Sequence, residues 1–229
     1  MTQTTIITPT IGTDYLHKCC QSVASQSSPA LHLLIPDGQE HEDKVYEIAM
    51  SVYEENPATY NFAMMSLPWN TGADGVNGHR AYAAGSNIVI TPFFSFLDED
   101  NWIAHDWTLK MQNTLDRHEM AMYATCRRTV TTPDEQVIGL DNRESIGKND
   151  MGYLLYDTNT FMFKRQMALL TPYMALRYYK DAPNKSLGDR DLTNTIYSIE
   201  HVHLDHYHGT FYRSPERLTQ FFEEICDAS

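Results

Sequence analysis

The N-terminal part of the chain alternates short apolar runs with amphipathic stretches. The apolar runs have the length of strands and end in turn residues, whereas the stretches between them repeat their apolar residues with a helical period. Such alternation predicts βαβ units, in which the strands lie parallel in one sheet and helices cover its faces. The predicted strands are 4–10, 31–38, 59–68 and 92–100, and the predicted helices are 14–26, 43–55 and 79–89.

The second part of the chain is less regular, and its predicted elements follow no fixed alternation. They are strands at 120–130 and 152–165, a polar loop at 140–147, helices at 166–179 (interrupted by Pro172) and 189–199, and a stretch at 211–225 that ends in an amphipathic helix. No linker separates the two parts. We therefore predict one compact α/β domain over residues 1–229, with 1–101 and 102–229 as its two halves.

Acidic residues outnumber basic ones, and this balance excludes one broad class of function. The sequence has 30 Asp and Glu against 17 Lys and Arg, which is a formal net charge of −13. A general nucleic-acid-binding protein needs a basic surface to neutralise phosphates, so we expect no nucleic-acid partner. A nucleotide ligand is still compatible, because a bound metal ion can bridge acidic side chains and phosphate oxygens.

The sequence contains neither a membrane-spanning run nor a signal peptide. No apolar run approaches the roughly 20 residues that a transmembrane helix needs, and the N-terminus lacks the basic and apolar regions of a signal peptide. The four cysteines form no CxxC pair, and the adjacent Cys19 and Cys20 are poorly placed for a disulfide. We therefore expect a cytoplasmic protein with reduced thiols.

An acidic turn, FLDEDNW at 96–102, follows the fourth predicted strand. On an extended chain, residues i and i+2 project to the same side, so Asp98 and Asp100 would converge while Glu99 turns away. Two converging carboxylates suit Mg²⁺ or Mn²⁺. An isolated acidic turn is more often simply solvated, but the strand before it favours a metal site. A Ca²⁺ EF-hand loop fits poorly, because Ile103 and Leu109 stand where that loop needs Gly and Glu.

A second acidic turn, Pro36-Asp37-Gly38, closes the second predicted strand. The carboxyl ends of parallel strands meet at one edge of the sheet, and ligands of open α/β sheets bind in the crevice beyond that edge. We therefore expect Asp37 and the acidic turn to face one crevice.

The ordered set of motifs resembles family 2 glycosyltransferases. The opening strand with its Pro-Thr turn, the helix ending in Ser22-Val23-Ala24-Ser25-Gln26 and the Asp37-Gly38 turn resemble the beginning of that family. LPWNTGADGVNGHRAYAAGSNIVITPFFSFLDEDNW resembles its Asn-x-Gly loop, small-residue helix and DxD strand. DTNTFMFKR at 157–165 and LGDRDL at 187–192 resemble the acceptor-side strand and the late acidic motif. The similarity covers most of 4–200 in the expected order.

This resemblance implies a GT-A fold, Rossmann-like with a mostly parallel sheet, and transfer of a sugar from a UDP- or GDP-sugar to a glycan or another hydroxyl acceptor. Residues 1–101 would bind the nucleotide sugar and 102–229 the acceptor. The implied nucleotide-sugar contacts are Thr8, Pro9, Asp37 and Asp98, the implied metal ligands are Asp98 and Asp100, and the implied general base is Asp189. Two positions depart from the family pattern: the Asp37 turn lacks a second acidic residue, and Gly188 replaces Glu before Asp189.

The chemistry of sugar transfer agrees with these roles. A sugar hydroxyl is a poor nucleophile at neutral pH, so a positioned carboxylate must accept its proton as it attacks. The leaving diphosphate develops negative charge, which a divalent cation can neutralise. One metal site and one base on opposite sides of the anomeric carbon are sufficient for inversion.

Several other residues admit two interpretations each. The stretch WNTGADGVNG at 69–78 is a Gly-rich loop. Arg80 follows this loop and is either a phosphate contact or a surface charge on a helix. His208, within HVHLDHYH at 201–208, is a third metal ligand by resemblance to some GT-A enzymes, although ordinary polar strand or loop histidines are the favoured interpretation. Arg127 and Arg128 contact donor or acceptor, or, as we favour, are exposed charges at a strand end.

The three tryptophans also have two interpretations, which are stacking on a sugar or base and the commoner packing in the core. They are Trp69, Trp102 and Trp107.

Two other functions fit parts of the same pattern. A metal-dependent phosphohydrolase acting on nucleotide sugars would use the acidic turn, with further ligands from 201–208. A non-catalytic nucleotide- or carbohydrate-binding protein would bind the donor and turn nothing over. Assays of donor hydrolysis and of transfer, with and without an acceptor, separate the three functions.

Overall fold

The computed structural model describes residues 2–73, 77–143, 145, 156–171 and 188–227. Within this part of the chain the strands are β1 Thr4–Thr10, β2 Ala30–Pro36, β3 Asn61–Met64, β4 Phe93–Phe96, β5 Trp102–Ile103, β6 Tyr123–Thr131, β7 Val137–Asp141, β8 Phe161–Lys164, β9 His201–Arg213 and β10 Cys226–Asp227. The helices are α1 Leu16–Ala24, α2 Glu42–Glu55, α3 His79–Asn87, α4 Trp107–Arg117, α5 Gly188–Ile196 and α6 Thr219–Ile225.

The strands form a mixed sheet in the order β10-β7-β6-β8-β4-β1-β2-β3, and β9 pairs with both β5 and β6. The pairings make β5, β7 and β8 run opposite to the other described strands. The predicted mostly parallel α/β architecture is therefore confirmed.

The chain passes from β1 to β2 and β3 on one side and then returns to place β4 on the other side of β1. This reversal opens a crevice at the carboxyl ends of β1 and β4, which is where ligands bind in open α/β sheets. Because β1 and β4 lie in the middle of the sheet, all of their residues are buried. Burial on both faces explains why these strands are continuously apolar or small in sequence rather than alternating.

Two apolar layers cover the faces of the sheet. One layer contains residues of α1, α2 and α4, including Leu16, Val45 and Met111. The other contains residues of α3 and α5, including Tyr82 and Leu192.

The small residues of α3 let this helix approach the sheet closely. A Cβ atom on Gly85 would lie 2.6 Å from Ile35 Cδ1 and 2.7 Å from Ile7 Cγ2, well inside van der Waals contact. Since α3 follows directly after the Gly-rich loop, its depth against β1 and β2 also determines where that loop borders the crevice.

Several predicted boundaries were wrong. The third strand was predicted at 59–68 but comprises only Asn61–Met64. The fourth was predicted at 92–100 but ends at Phe96, so the acidic turn lies in a loop. Helix α4 and strand β7 were not predicted at all, although Trp107, Met111 and Leu115 recur with a helical period in α4.

Other predictions fall partly on residues outside the described ranges. The stretch predicted as strand at 152–165 contains β8, preceded by a 3-10 turn at Thr158–Thr160. The stretch predicted as helix at 166–179 begins with a 3-10 turn at Arg165–Leu169, and the structure describes it only as far as 171. The predicted helix at 189–199 corresponds to α5, and the histidine-rich stretch is part of β9.

No helix within the described ranges combines the length and apolar character needed to cross a membrane.

Candidate active site

A cavity of about 510 Å³ opens at the carboxyl ends of β1, β2 and β4. Its walls come from the end of β1, the turn after β2, the Gly-rich loop, the acidic turn and β9. The lining residues are Pro9, Thr10, Ile11, Asp37, Asn70, Gly72, Ala73, Asn77, Gly78, Asp98, Glu99, Asp100 and Tyr212.

The middle carboxylate of the acidic turn points towards the loop after β1. Glu99 accepts hydrogen bonds from Thr10 Oγ1 at 2.6 Å, from Thr13 N at 3.0 Å and from Ile11 N at 3.3 Å. These bonds fasten the acidic turn to the end of the neighbouring strand.

Asp98 is held by two side chains from different elements. Tyr82 of α3 donates its hydroxyl hydrogen to Asp98 Oδ1 at 2.6 Å, and Asn159 Nδ2 donates to Asp98 Oδ2 at 2.8 Å. The amide oxygen of Asn159 also accepts the backbone N–H of Asp98 at 2.5 Å. The position of this carboxylate is therefore set by packing on both sides before any ligand binds.

Asn159 is itself anchored by a buried ionic network. Its side-chain and backbone N–H groups donate to Asp157 Oδ1 at 2.9 and 2.8 Å. The other oxygen of Asp157 pairs with Arg128, whose Nε donates to Asp141 Oδ2 at 2.6 Å. Arg128 is 2% exposed and Asp141 is 0% exposed.

The interpretation of Arg128 as an exposed strand-end charge was therefore wrong. Charges taken out of water are tolerated only when they are paired and hydrogen-bonded, and Arg128 has carboxylates on two sides. Its neighbour Arg127 is half-buried.

The same guanidinium supports a second wall of the cavity. The Cζ atom of Arg128 lies 4.2 Å from the ring centroid of Tyr212 and 5.5 Å from that of Phe222 in α6. Tyr212 lines the cavity. Arg128 thus links the wall formed by β9 to the network that holds Asp98.

Asp100 lies where burial and two neighbouring carboxylates disfavour a negative charge. Burial, followed by the nearby charges of Asp98 and Glu99, raises the pKa of Asp100 to about 7. Arg213 Nε donates a hydrogen bond of 3.1 Å to the backbone carbonyl oxygen of Asp100. A divalent cation fits this place, because it would relieve the repulsion among carboxylate oxygens of the kind that Mg²⁺ and Mn²⁺ prefer.

Within the described ranges, no three or more His, Cys, Asp or Glu side chains are grouped so that they could hold a metal ion by themselves. A cation at Asp98 and Asp100 would thus complete its coordination with oxygens of a ligand and of water. In the described part of the chain, His208, which lies in β9 opposite Arg127, therefore forms no such group with Asp98 and Asp100.

Asp37 forms the opposite wall of the cavity by holding the Gly-rich loop. Its Oδ1 accepts from the backbone N–H and the hydroxyl of Thr71, both at 2.8 Å, and its Oδ2 accepts from Gly72 N at 2.9 Å. Arg80 donates to the carbonyl oxygen of Thr71 at 2.7 Å, so this side chain supports the loop from behind. Arg80 is not among the residues that line the cavity.

Of the two residues expected to contact the nucleoside from β1, only Pro9 lines the cavity. Thr8 is fully buried, and its hydroxyl lies 2.9 Å from Nε2 of His32. The structure therefore makes Thr8 a partner of a core histidine and provides no contact between its side chain and the cavity.

Asp189 lies in the first turn of α5. The side chain of this residue lies outside the described part of the structure, so its role as a base stays a prediction.

The tryptophans separate into three environments. Trp107 is 1% exposed and packs in the core, as the favoured interpretation predicted. Trp102 is half-buried and stacks on Phe211. Trp69 is 67% exposed beside Asn70 of the cavity wall.

Sequence reasoning did not identify Tyr82, Asn159 or Tyr212 as parts of the site. Their partners are distant in the chain, and an aromatic or amide side chain alone carries no signal of its contacts. The pair Asp157 and Asn159 offered a partial signal, because an Asp side chain commonly accepts the backbone N–H two residues further on and so caps a turn.

Comparisons with known proteins agree with this architecture. The sequence profile described as "Glycosyl transferase family 2" matches residues 5–177. No curated protein sequence matches the chain. A solved structure of residues 1–349 of S. aureus TarS has a TM-score of 0.66 at 16% identity, covering 100% of this chain and 67% of that one.

Two further structures resemble the chain. The complex of S. aureus TarS 1–349 with UDP-GlcNAc has a TM-score of 0.65 at 13% identity and covers 94% of this chain and 59% of that one. The mannosyltransferase PcManGT from Pyrobaculum calidifontis, in complex with GDP-Man and Mn²⁺, has a TM-score of 0.62 at 11% identity and covers 96% of this chain and 59% of that one. These likenesses show a shared GT-A fold, and the profile match over most of the sequence establishes that this chain belongs to glycosyl transferase family 2.

Proposed function

We propose that this protein transfers a sugar from a nucleoside diphosphate sugar to a hydroxyl group of an acceptor, with inversion at the anomeric carbon. The observation that carries this proposal is the cavity at the strand-order reversal, walled on one side by Asp37 and on the other by the acidic turn. A cavity of this size is suited to a small-molecule ligand of nucleotide dimensions.

The donor in this proposal is a UDP- or GDP-sugar. The similar structures of TarS hold UDP or UDP-GlcNAc, and that of PcManGT holds GDP-Man with Mn²⁺. The negative lining of the cavity makes a metal-free diphosphate a poor ligand, so donor binding requires a cation in this proposal.

Asp98 and Asp100 are the proposed protein ligands of that cation, Mn²⁺ or Mg²⁺. When bound, it neutralises the charge that develops on the leaving diphosphate. Asp98 is oriented by Tyr82 and Asn159, whereas burial and the charges of Asp98 and Glu99 raise the pKa of Asp100 to about 7. A cation would relieve that repulsion, so we expect Asp100 to be the more important of the two ligands.

Asp37 is the proposed contact for the nucleoside. Its Oδ1 accepts two hydrogen bonds from Thr71, but its Oδ2 accepts one, from Gly72. A carboxylate oxygen accommodates about two hydrogen bonds, so Oδ2 retains capacity for an N–H or O–H group of the nucleoside. Pro9 packs closely against Gly78 at the end of the Gly-rich loop. A Cβ atom on Gly78 would lie only 2.7 Å from the ring of Pro9.

Asp189 is the proposed general base, and the second half of the chain binds the acceptor. A negative charge in the first turn of a helix is favoured by the partial positive charge of the helix end. We place the reaction in the cytoplasm, since the buried Cys19, Cys20 and Cys126 form no disulfide, as suits a reducing compartment.

Calorimetric titration of UDP and GDP, with and without Mn²⁺, tests the donor site. We expect binding only with Mn²⁺, and we expect Asp100→Ala to abolish it without lowering thermal stability, because the change removes one of three repelling carboxylates. Asp134→Ala, at an exposed position elsewhere, is the matched control. Unchanged affinity in Asp100→Ala would remove this residue from the metal site.

A donor-turnover assay distinguishes the alternatives. A transferase releases nucleoside diphosphate faster when an acceptor is added, whereas a phosphohydrolase works at full rate without one. Rapid hydrolysis that no acceptor changes would contradict the proposed function.

A further inference from the structure

Three nitrogen-bearing side chains share one face of the β6–β9 strand pair. Directly paired residues point to the same face of a sheet, and the register pairs Thr125 with His203 and Arg127 with His208. Arg127 and Thr125 are two positions apart in β6, so Arg127, His203 and His208 lie on one face. We call these three residues the Arg127 cluster.

Arg127 has no counter-charge within the described part of the chain. It is half-buried, and its Nε and one terminal nitrogen donate to the carbonyl oxygen of Asp141, both at 3.3 Å. A guanidinium has five N–H donors, so these two long bonds to a neutral oxygen leave most of its capacity unused.

Both histidines of the cluster also have an unused nitrogen. His203 Nδ1 lies 2.6 Å from Thr125 Oγ1, but its buried Nε2 has no hydrogen-bond partner. The buried Nδ1 of His208 has none either. Buried polar atoms of folded proteins are almost always hydrogen-bonded, so two such atoms beside an unpaired arginine indicate a missing acceptor.

The charges around the cluster are mixed but favour an anion. Asp205 Oδ1 lies 3.2 Å from His203 Nε2 without hydrogen-bond geometry, and its side chain is 71% exposed, so solvent screens its charge. His201 is turned away and lies 3.0 Å from the carbonyl oxygen of Ile199. Burial, and after it the charge of Arg127, lowers the pKa of both His203 and His208, although the charge of Asp205 opposes the shift at His203. Neutral imidazoles beside a fixed guanidinium can donate to an anion and disfavour a cation.

The cluster lies towards the first turn of α5. Tyr123 of β6 donates to the carbonyl oxygen of Ile196, in the last turn of this helix, at 3.3 Å. Thr193, one turn earlier, accepts from Tyr156 N at 3.2 Å, and the ring of Tyr156 lies 5.9 Å from that of His203. The helix therefore runs antiparallel to β6 on the face of the cluster, from its first turn with Asp189 towards Tyr123.

We propose that the Arg127 cluster binds an anionic group of the acceptor, a phosphate or a carboxylate, close to the hydroxyl that receives the sugar. This inference rests on the proposed function, because Asp189 marks the place of the acceptor hydroxyl. A buried water would satisfy one imidazole nitrogen, but it would leave the charge of Arg127 uncompensated. The acceptor class is thus a hydroxyl compound that carries a negative charge.

Titration with inorganic phosphate, followed by NMR of ¹⁵N-labelled histidine rings, tests this site. The experiment is carried out without metal, because the acidic cavity then repels phosphate, and at constant ionic strength with chloride as the reference anion. His203→Gln and His208→Gln assign the two signals. We expect saturable shifts of both signals with phosphate and none with chloride.

Arg127→Met is expected to weaken phosphate binding about tenfold or more, the loss typical of a hydrogen bond to a charged group. Arg165→Met, which changes an exposed arginine bonded to the carbonyl oxygen of Ile90, is the matched control and should leave the affinity unchanged. If Arg127→Met does not fold, Arg127→Lys supplies the comparison, with an expected loss of threefold or more. Absence of saturable shifts, or equal affinity in the Arg127 variant, would overturn the proposal.

Binding of UDP with Mg²⁺ is measured on the same samples and keeps the two proposals separate. If UDP binds and phosphate leaves both histidines unaffected, the anion site is wrong and the donor site stands. If phosphate shifts both histidines and UDP does not bind, the anion site stands and the proposed function is wrong.

Discussion

At the scale of single residues, Asn159 shows how one amide can orient a carboxylate of the candidate site. It contacts Asp98 through both its oxygen and its nitrogen, and it is 1% exposed. The same nitrogen bonds to Asp157, so the residue separates two carboxylates that would otherwise repel each other.

Asn159→Asp is expected to weaken metal-dependent UDP binding by roughly tenfold or more. The change preserves shape, but it removes two hydrogen bonds to charged groups, each worth about 1.5–3 kcal/mol, and adds a third negative charge. Asn87→Asp, at an exposed position of α3, is the control for the added charge. Calorimetry that gave equal UDP affinity for Asn159→Asp and wild type would show that Asn159 does not position Asp98.

His32 provides a pH-dependent contribution to stability. Its two ring nitrogens lie 2.9 Å from the hydroxyls of Tyr60 and Thr8, and burial lowers its pKa to about 3. The unfolded chain, with a pKa near 6.5, takes up a proton below that pH while the folded protein does not. Stability is therefore present above pH 6.5 and lost as the pH falls towards 3.

Urea unfolding at pH 7 and pH 5 measures this effect. We expect the wild type to lose roughly 2 kcal/mol more than His32→Gln over this interval, since 1.5 pH units below the unfolded pKa correspond to that free energy. Equal losses in the two proteins would mean that His32 takes up a proton in the folded state.

At the scale of elements, ion pairs rather than apolar contacts connect β6 to β7 and to the turn before β8. Arg128 of β6 reaches Asp141 at the end of β7 and Asp157 in the turn. Each of these segments presents a polar group to the interior, and the ion pairs are what make that burial tolerable.

Arg128→Met is expected to destabilise the fold by about 3–5 kcal/mol, because two carboxylates would remain buried without their partner. Arg127→Met changes the adjacent residue of the same strand, which has no ion pair within the described ranges, and should cost under about 1 kcal/mol. Chemical denaturation of both variants measures the difference. Similar stability losses would show that the buried network contributes no more than a half-buried arginine without an ion pair.

At the scale of the whole molecule, the two halves supply different parts of the proposed reaction. The cavity is bounded mainly by residues before 101, with Tyr212 of β9 contributed by the second half. The candidate base and the Arg127 cluster lie entirely in the second half. Donor binding and chemistry should therefore be separable by mutation.

Asp189→Asn is expected to lower kcat for transfer by about 10²–10⁴, the range typical of losing a general base, while UDP-sugar affinity stays within a few fold. Asp189 lies in the first turn of α5, where its charge contributes about 0.3–1 kcal/mol through the helix dipole, so stability should fall only slightly, and a purely structural role would leave turnover intact. Steady-state kinetics together with calorimetry of the same variant measure both quantities. Near-normal turnover would exclude Asp189 and direct attention to Asp191 or Asp157.

The order of the elements from β1 to β4 and the two acidic turns could be predicted from the sequence alone. Apolar runs of strand length reflect burial on both faces of a sheet, and this local property is visible in β1, β2 and β4 without any knowledge of their partners. The strand-order reversal brought Asp37, Asp98 and Asp100 to the same cavity, as the general placement of ligands in such sheets predicts.

Only the tertiary structure decided the roles of Arg128, Asn159 and Thr8. Whether an arginine in a strand is exposed or buried depends on the carboxylates opposite it, and here they come from positions 13 and 29 residues away. Thr8 lies in β1 near the cavity, but its hydroxyl forms a hydrogen bond with His32 of the adjacent strand and does not reach the cavity. Sequence patterns report the average environment of an element, whereas a hydrogen bond needs two particular groups to meet, and the packing of the whole chain determines which ones do.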